Sequence, residues 1–536
     1  MVVAAKPVTP PSAPPRALSA LALAVAALAF LPALNAGFLG DDFVYIARFY
    51  EMPWSSWPQF FTREWSGGIW GQPLKELRPF AALSFMIDAR LWGGNPVGYR
   101  LVNLALHLVS TALVVRLAWL YARAFPETGS RRAAALVAGL IFAVHPVHVE
   151  TVVWITGRPD LLGSAAALAF LFAGERFSES GRRRHAPLAL TALTVGIFTK
   201  EFCLITPLLL LLRWLLLDVG AERTVWQRRA FLLGGAIVVT AFYAAARHAA
   251  FGNDTGNGFF GWNDAPAWSR QAAYAGWIVP VLPFTTGHEW AALPQMNVLR
   301  WIWLILAGVA VLAFIAARVR RATWAGAVFF GGVWWFATTV GLFVVVYFSP
   351  RHLYLPSAGV AIGLGLGFSQ RRIVAALIIA WGLAAHVAAL QPWREAGRLS
   401  REVIAALETD LAAGDEKTIA LIAVPETRGH VLLWAWSCPQ ALGAPFLSHP
   451  RTALQVIERP VNYVRSDRWV ADHRPVESVR NASSAVAVYV DADGRVIHRL
   501  VPRAELMRRG DELEKLVAQG LNPDNLTAWI RSCAQP

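Results

Sequence analysis

The sequence predicts a polytopic α-helical membrane protein with about eleven transmembrane helices and a small C-terminal α/β or β-rich domain outside the membrane. Three observations lead there. Hydrophobic residues make up 56% of the chain and charged residues only 16%, well below the quarter charged of a soluble domain. Apolar runs near the length that crosses ~30 Å of hydrocarbon recur from residue 18 to residue 391. Beyond residue 400 the chain turns more polar, and short strand-like runs replace the long apolar ones.

Residues 1–17 form a cytoplasmic N-terminal tail. The first span, Leu18 to Phe38, is longer than a signal-peptide core and lacks a clear small-residue cleavage site, so a retained signal anchor is expected. Arginine clusters at Arg131-Arg132, Arg182-Arg183-Arg184, Arg228-Arg229, Arg318 to Arg321 and Arg371-Arg372 then orient the bundle by the positive-inside bias. Spans follow near 99–122, 133–150, 153–174, 186–200, 202–218, 230–249, 298–317, 323–347, 355–370 and 373–391. The N-terminus lies inside and the C-terminus outside. Residues 271–284 are read as a short helix in the outer interface, because a full span there would carry Arg318–Arg321 outside.

The net charge of +14 does not indicate nucleic acid. Most clustered arginine falls in short loops, where it serves topology and contact with anionic lipid. No basic helix with interleaved aromatics is present to form a nucleic-acid face. Acids and histidines gather instead on the predicted outer side, beginning with the loop 39–98 and its adjacent pair Asp41 and Asp42. Carboxylates beside a membrane span need a function or a partner. The pair suits a general base; Asp is also a good N-cap for the helix that follows.

Other outer-side motifs carry further candidates. The hinge holds His145, His148 and Glu150, then Arg158 and Asp160. Two histidines and an acid are a weak metal signal, since Pro146 breaks the helix between the rings. Substrate contacts or a structural hydrogen-bond network fit them as well. Lys200 and Glu201 are either an ion pair capping two helices or a lysine aimed at an anionic leaving group. Arg351, His352 and Tyr354 stand at the outer end of a later span, where a guanidinium can grip phosphate through two parallel bonds.

These residues together resemble a family. Gly40-Asp41-Asp42-Phe43-Val44-Tyr45, Arg78-Pro79-Phe80, Asn103 and His107 come first. Phe142 to Glu150, Gly157 to Leu162, Thr199-Lys200-Glu201 and Arg351 to Ser357 complete the set. Their order and spacing resemble the GT-C membrane glycosyltransferases, most closely the O-mannosyltransferases that carry tetratricopeptide repeats, and their bacterial relatives. The resemblance covers about residues 18–391 and implies a GT-C-like transmembrane catalytic domain over 18–398. It implies a polyprenyl-phosphate sugar donor, of which the mannose-carrying form is one, and transfer with inversion at the outer face to a protein, glycan or lipid acceptor. On that likeness Asp41 is the catalytic acid and Asp42 its neighbour. Arg158, Lys200 and Arg351 are donor-phosphate residues, and Arg78, His107, His145, His148, Glu150, Asp160, Glu201, His352 and Tyr354 are pocket candidates. No cofactor is certain; a divalent metal ion is possible. A bacterial inner membrane is the expected setting.

Residues 399–536 depart from those relatives, for they show no 34-residue helical repeat. The absence of repeats puts a protein acceptor in doubt. Strand-like runs lie at Thr418–Val424, His430–Trp436, Ala485–Val490 and Val496–Val501, with a hairpin turn at Asp491 to Gly494 and a helix near Glu505–Gln519. Cys438 and Cys533 would lie in an oxidising compartment and form a disulfide candidate, whereas Cys203 lies in a span. Two other classes compete. A transporter or flippase would place broken helices at mid-membrane depth, and a non-catalytic scaffold would use its tail for binding.

Overall fold

The computed structural model describes residues 16–68, 74–125, 130–218, 221–252, 324–339 and 349–413, then separate stretches between 418 and 535. It is mostly helical. Helix α1 (Arg16–Phe30) continues into a 3-10 turn at Leu31–Ala33 and buries only Ala22, Ala26 and Phe30, leaving Leu21 and Leu28 exposed. An apolar helix with most of its surface uncovered fits a lipid-facing span. Two shorter helices, α2 (Asp41–Glu51) and α3 (Pro79–Trp92), fill the first long loop.

The bundle proper follows. Helix α4 (Pro96–Tyr121) starts with Pro at its first position and an Asn95 side chain that accepts from the Val97 N–H at 3.1 Å. Then come α5 (Arg131–Ala143), the short α6 (His148–Val153), α7 (Arg158–Ser180), α8 (His185–Ile197), α9 (Thr206–Leu217) and α10 (Arg223–Phe251). Described residues resume at α11 (Trp324–Thr339), α12 (Tyr354–Phe368) and α13 (Arg372–Ala413).

Among the described residues, five helices are long and apolar enough to cross a membrane: Arg16–Ala33, Pro96–Ala124, Ile155–Ser180, Arg223–Phe251 and Arg372–Asp410. The predicted spans at 133–150, 186–200, 202–218 and 355–370 form helices of 13, 13, 12 and 15 residues. At 1.5 Å per residue these reach only roughly 18–23 Å. The chain breaks near Pro146, so the predicted span 133–150 is divided between α5 and α6, whereas the predicted span 153–174 lies almost wholly within the apolar stretch Ile155–Ser180. Helix α13 runs through the expected domain boundary at 398/399 without interruption. The predicted span 298–317 and the interfacial helix 271–284 lie outside the described residues.

The C-terminal stretches form a four-stranded mixed sheet in the order β4-β1-β5-β6. Strand β1 (Thr418–Ala423) runs parallel to β4 (Gln455–Ile457) and to β5 (Ser484–Val490), and β5 is antiparallel to β6 (Val496–Pro502). The register Val490↔Val496 closes a tight connection where the hairpin is expected, although Asp491 to Gly494 are not among the described residues. Within the run 430–436 the described residues form β3 (Val431–Leu432), which pairs antiparallel with β2 (Thr427–Arg428). Helices α14 (Cys438–Ala441) and α15 (Arg503–Ala518) complete this part. Cys533 and the side chain of Cys438, the disulfide candidates, lie outside the described residues; Cys203 is a buried free thiol that donates to the Gly163 carbonyl at 3.3 Å.

Candidate functional site

The C-terminal ends of α1, α5 and α8 and the N-terminal ends of α4, α7 and α12 meet at one end of the bundle. Segments 36–42, 96–103, 145–160, 199–201 and 349–357 touch there through the bonds described below. The opposite end carries arginine-bearing turns, tied for example by Arg123 to Glu179 at 2.8 Å.

Asp41 and Asp42 have different surroundings. Gly40 takes a φ of +49°, a backbone region that favours glycine, and turns the chain sharply into α2. Asp42 is wholly buried. Its Oδ2 accepts from the Leu39 N–H at 3.0 Å, and its Oδ1 accepts from the Thr156 N–H at 3.0 Å and the Thr156 hydroxyl at 3.2 Å. Burial pushes the Asp42 carboxyl up to about 7, against the Arg100 charge and these hydrogen bonds. Asp42 is therefore a clamp between the first loop and the 154–157 hinge. Asp41, the first residue of α2, is only partly buried.

A sealed network backs this clamp. Arg100 donates to the carbonyls of Ala36 and Gly37 and to that of Val153 at 2.9 Å. Arg158, wholly buried, pairs with Asp88 and donates to Asn103 Oδ1 and the Tyr99 carbonyl, both at 2.8 Å, above the Phe85 ring. Asn103 Nδ2 donates in turn to the carbonyls of Val152 and Trp154 at 3.2 Å. The charge of Arg158 is thus spent inside the protein. It leaves the set of donor-phosphate candidates, because α3 brings up a carboxylate that the sequence motif does not contain.

A second network is open to solvent at its edge. Arg78 pairs with Glu76 at 2.8 Å and Glu201 at 3.0 Å, and Trp65 Nε1 donates to Glu76 at 2.8 Å. Lys200 Nζ reaches Asp160 Oδ2 at 2.6 Å. Arg351 pairs with Glu150 at 2.7 Å, approaches Asp160 at 3.9 Å and lies 4.7 Å over the Trp154 ring. The Ser349 hydroxyl donates to the same Glu150 oxygen. Trp154 ties this network to the acid pair, since its Nε1 donates to the Leu39 carbonyl at 3.2 Å.

The electrostatics follow from this crowding. Burial raises the Glu76 carboxyl, and Glu201 adds to the shift against the pull of Arg78. Burial opposes ionisation of Glu201 too, but the Arg78 charge wins and holds it below the usual carboxylate range. Burial lowers Lys200, with Arg78 and Arg351 adding to it against Asp160. His352 is held well below its usual value by burial and by Arg351, Lys200 and Arg78, so its imidazole is neutral. Among the described residues, Arg78 Nε, Asp160 Oδ1 and the Tyr243 hydroxyl are buried polar atoms of this region with no hydrogen-bond partner. Tyr243 comes from α10, packs its ring 5.1 Å from Phe198, and lies in the field of Glu201 and Arg78. A donor, an acceptor and a hydroxyl without partners are what a polyhydroxylated ligand would satisfy.

The histidines form a third group. His107 Nδ1 meets the Tyr354 hydroxyl at 2.7 Å, and His148 Nε2 meets Ser357 Oγ at 2.7 Å. His145 Nδ1 accepts from the Val147 N–H at 3.3 Å. Glu150, the third member of the possible metal set, is taken by Ser349 and Arg351. Among the described residues no three His, Cys, Asp or Glu side chains converge as a metal site.

The structure thus brings Arg78, Glu150, Asp160, Lys200, Glu201, Arg351 and His352 together, with Trp154 linking them to the loop that carries Asp41 and Asp42. His107, His145, His148 and Tyr354 pack behind them, between helices. Sequence reasoning missed Glu76, Asp88, Arg100, Trp154, Thr156 and Tyr243. Asp88 and Arg100 carried a usable signal, being charges within otherwise apolar helices. Tyr243 carried none.

The chain is similar to known proteins over part of its length. Residues 78–246 match the family described as dolichyl-phosphate-mannose-protein mannosyltransferase. The chain is 36% identical over 195 residues to the protein O-mannosyl-transferase Tmtc2 of Drosophila melanogaster, covering 32% of this chain and 19% of that protein. To TMTC2 of Mus musculus it is 35% identical over 160 residues, 28% of this chain and 17% of that protein. It therefore spans about a fifth of the length of the curated relatives it matches. Among solved structures, ArnT from Cupriavidus metallidurans in the apo state is 16% identical, with a TM-score of 0.39 over 92% of this chain and 99% of that one. The S. cerevisiae Pmt1-Pmt2 complex bound to its sugar donor is 18% identical, with a TM-score of 0.31 over 49% of this chain and 39% of that one.

Proposed function

We propose that this chain, a relative of the protein O-mannosyltransferases over residues 78–246, is a membrane glycosyltransferase that takes a sugar from a polyprenyl-phosphate donor. Its site lies at the end of the bundle that carries Asp41, on the face of the membrane opposite the arginine-bearing loops. The observation that supports this reading is the open network, where Arg78, Lys200 and Arg351 pair with Glu201, Asp160 and Glu150, and Trp154 beneath Arg351 donates to the Leu39 carbonyl, two residues before the partly buried Asp41.

The chemistry follows from those groups. Asp41 takes the proton of an acceptor hydroxyl as its oxygen attacks the anomeric carbon. General-base help of this kind is worth roughly 10²–10⁴-fold. The bond between that carbon and the phosphate oxygen breaks, the configuration inverts, and the lipid phosphate leaves with its electron pair. Fixed cations stabilise the charge it gains. Arg351 and Lys200 are the partners for that phosphate, and Arg351 must exchange Glu150 for it. The unpartnered atoms of Arg78, Asp160 and Tyr243 are suited to the hydroxyls of the sugar. The acceptor is a protein, glycan or lipid hydroxyl.

The test uses the full chain in proteoliposomes supplied with polyprenyl-phosphate mannose and an envelope extract as acceptor. Wild type releases polyprenyl phosphate, and Asp41→Asn lowers that rate by about 10²–10⁴-fold. Release at the wild-type rate by Asp41→Asn removes Asp41 from the mechanism. No release from mannose, other hexose or pentose donors overturns the transferase reading.

A further inference from the structure

We infer that C-terminal residues of the chain, Gly397, Ser400 and Arg401 in α13 together with Leu433, Trp434 and Phe446, form a positioning element for the loop that carries Asp41. The inference rests on the reading of Asp41 as the general base. It adds residues that lie outside the segment 78–246 matched by the mannosyltransferase family.

The loop Asn35 to Phe43 has little means of holding itself in shape. It is not a helix until Asp41, and it turns at Gly40 with a positive φ. Its backbone groups are taken up from two sides. One side is the Arg100, Trp154 and Thr156 contacts already described. The other is the C-terminal part. Arg401 donates to the Asn35 carbonyl, the Gly37 N–H donates to the Gly397 carbonyl at 2.9 Å, and the Ser400 hydroxyl donates to the Phe38 carbonyl at 2.6 Å. The Gly40 N–H, one residue before Asp41, donates to the Leu433 carbonyl at 2.6 Å.

Aromatic packing closes the same contact. The Phe446 ring lies 4.9 Å from both Phe38 and Phe43, edge to face, and Trp434 lies 5.4 Å from Phe43. Leu433, Trp434, Leu442 and Phe446 are all buried. Two glycines are fitted to this approach rather than to a special backbone angle. A Cβ on Gly397 would lie 2.4 Å from the Ala36 Cβ, and one on Gly94 would lie 2.3 Å from the Pro445 carbonyl oxygen. Gly94 stands between α3 and α4, away from Asp41 in sequence, so the C-terminal segment is seated on the membrane region at two separate places. A general base displaced by about 1 Å loses roughly 10²-fold in rate. A loop braced on one side only is free to make such a displacement.

The test compares full-length wild type, Gly94→Ala, Phe446→Ala and the conservative Phe446→Tyr in lipid nanodiscs. Hydrogen exchange of the backbone around 35–46 is read first, then transfer from polyprenyl-phosphate mannose. Gly94→Ala and Phe446→Ala are expected to exchange at least about tenfold faster over 35–46, while 104–118 within α4 stays at the wild-type rate. Their kcat falls by about tenfold or more, with KM for the donor within about twofold, and Phe446→Tyr stays near wild type. Unchanged exchange over 35–46 overturns the inference, as does faster exchange with kcat intact. Uniformly faster exchange through α4 in both alanine variants also overturns it, since the segment would then support the bundle and not the loop. A wild type that transfers no sugar fails the functional reading alone, and the exchange pattern still decides whether the segment holds the loop.

Discussion

Arg158 and Arg351 reach the same end of the bundle, on segments that each read as a cation at a membrane-side hinge, yet they have opposite circumstances. Arg158 is 0% exposed and its partner Asp88 3%, whereas Arg351 and Glu150 are each 14% exposed, with Lys200 at 15% and Glu201 at 26% nearby. A buried pair costs several kcal/mol per ion to desolvate and cannot exchange its partner without leaving a charge stranded. A pair at the edge of water can. The same residue type therefore holds the hinge together at one position and, in the proposed mechanism, exchanges its carboxylate for the donor phosphate at the other. Asp42 and Asp41 repeat the contrast over a single peptide bond.

This contrast is sharpest where one charge is removed. Arg158→Met leaves Asp88 buried without its partner and is expected to destabilise the protein by about 3–5 kcal/mol. Thermal unfolding in detergent should show a large fall in Tm, with the folded fraction retaining its affinity for polyprenyl phosphate. A folded, stable variant with weakened phosphate binding would mean that Arg158 belongs to the open network after all.

An effect of similar size, but one that depends on pH, is expected at Asp42. The unfolded carboxyl ionises near 3.8 and the folded one near 7, so the native state holds an extra proton between those values. Stability from this group is present at low pH and is lost as pH rises through about 4 to 7. Asp42→Asn removes that dependence. Relative to wild type, the variant should gain stability from pH 4 to pH 8, by up to about 4 kcal/mol at about 1.4 kcal/mol per unit. Parallel Tm–pH curves for the two proteins would show that Asp42 is ionised throughout, and that its hydrogen bonds outweigh its burial.

The mildest effect belongs to the open network. Glu150→Gln releases Arg351 from its carboxylate and should tighten polyprenyl-phosphate binding by about 1 kcal/mol, roughly fivefold. Weaker binding would make Glu150 a ligand contact rather than a competitor.

Sequence reading reached the membrane class and most members of the open network, because charges in an apolar chain are conspicuous and their motifs lie at span ends. It could not separate Arg158 from Arg351. The difference lies in Asp88, which α3 delivers from seventy residues earlier in the chain. Nor could it show that Asp42 faces Thr156, 114 residues away, while Asp41 stays partly open. The span expected over 133–150 is too long because Pro146 interrupts its apolar run, and hydropathy averages across such a break. The continuation of α13 to Ala413 was hidden because helical periodicity persists as its surface turns from apolar to charged.

The most direct test of the difference between the two networks is a titration of polyprenyl phosphate into wild type and Arg351→Gln, each in the same nanodiscs. The expected result is a Kd raised by roughly 10- to 150-fold, the loss of a charge-assisted bond of about 1.5–3 kcal/mol, with Tm almost unchanged. An unchanged Kd would contradict the assignment of the donor phosphate to the open network.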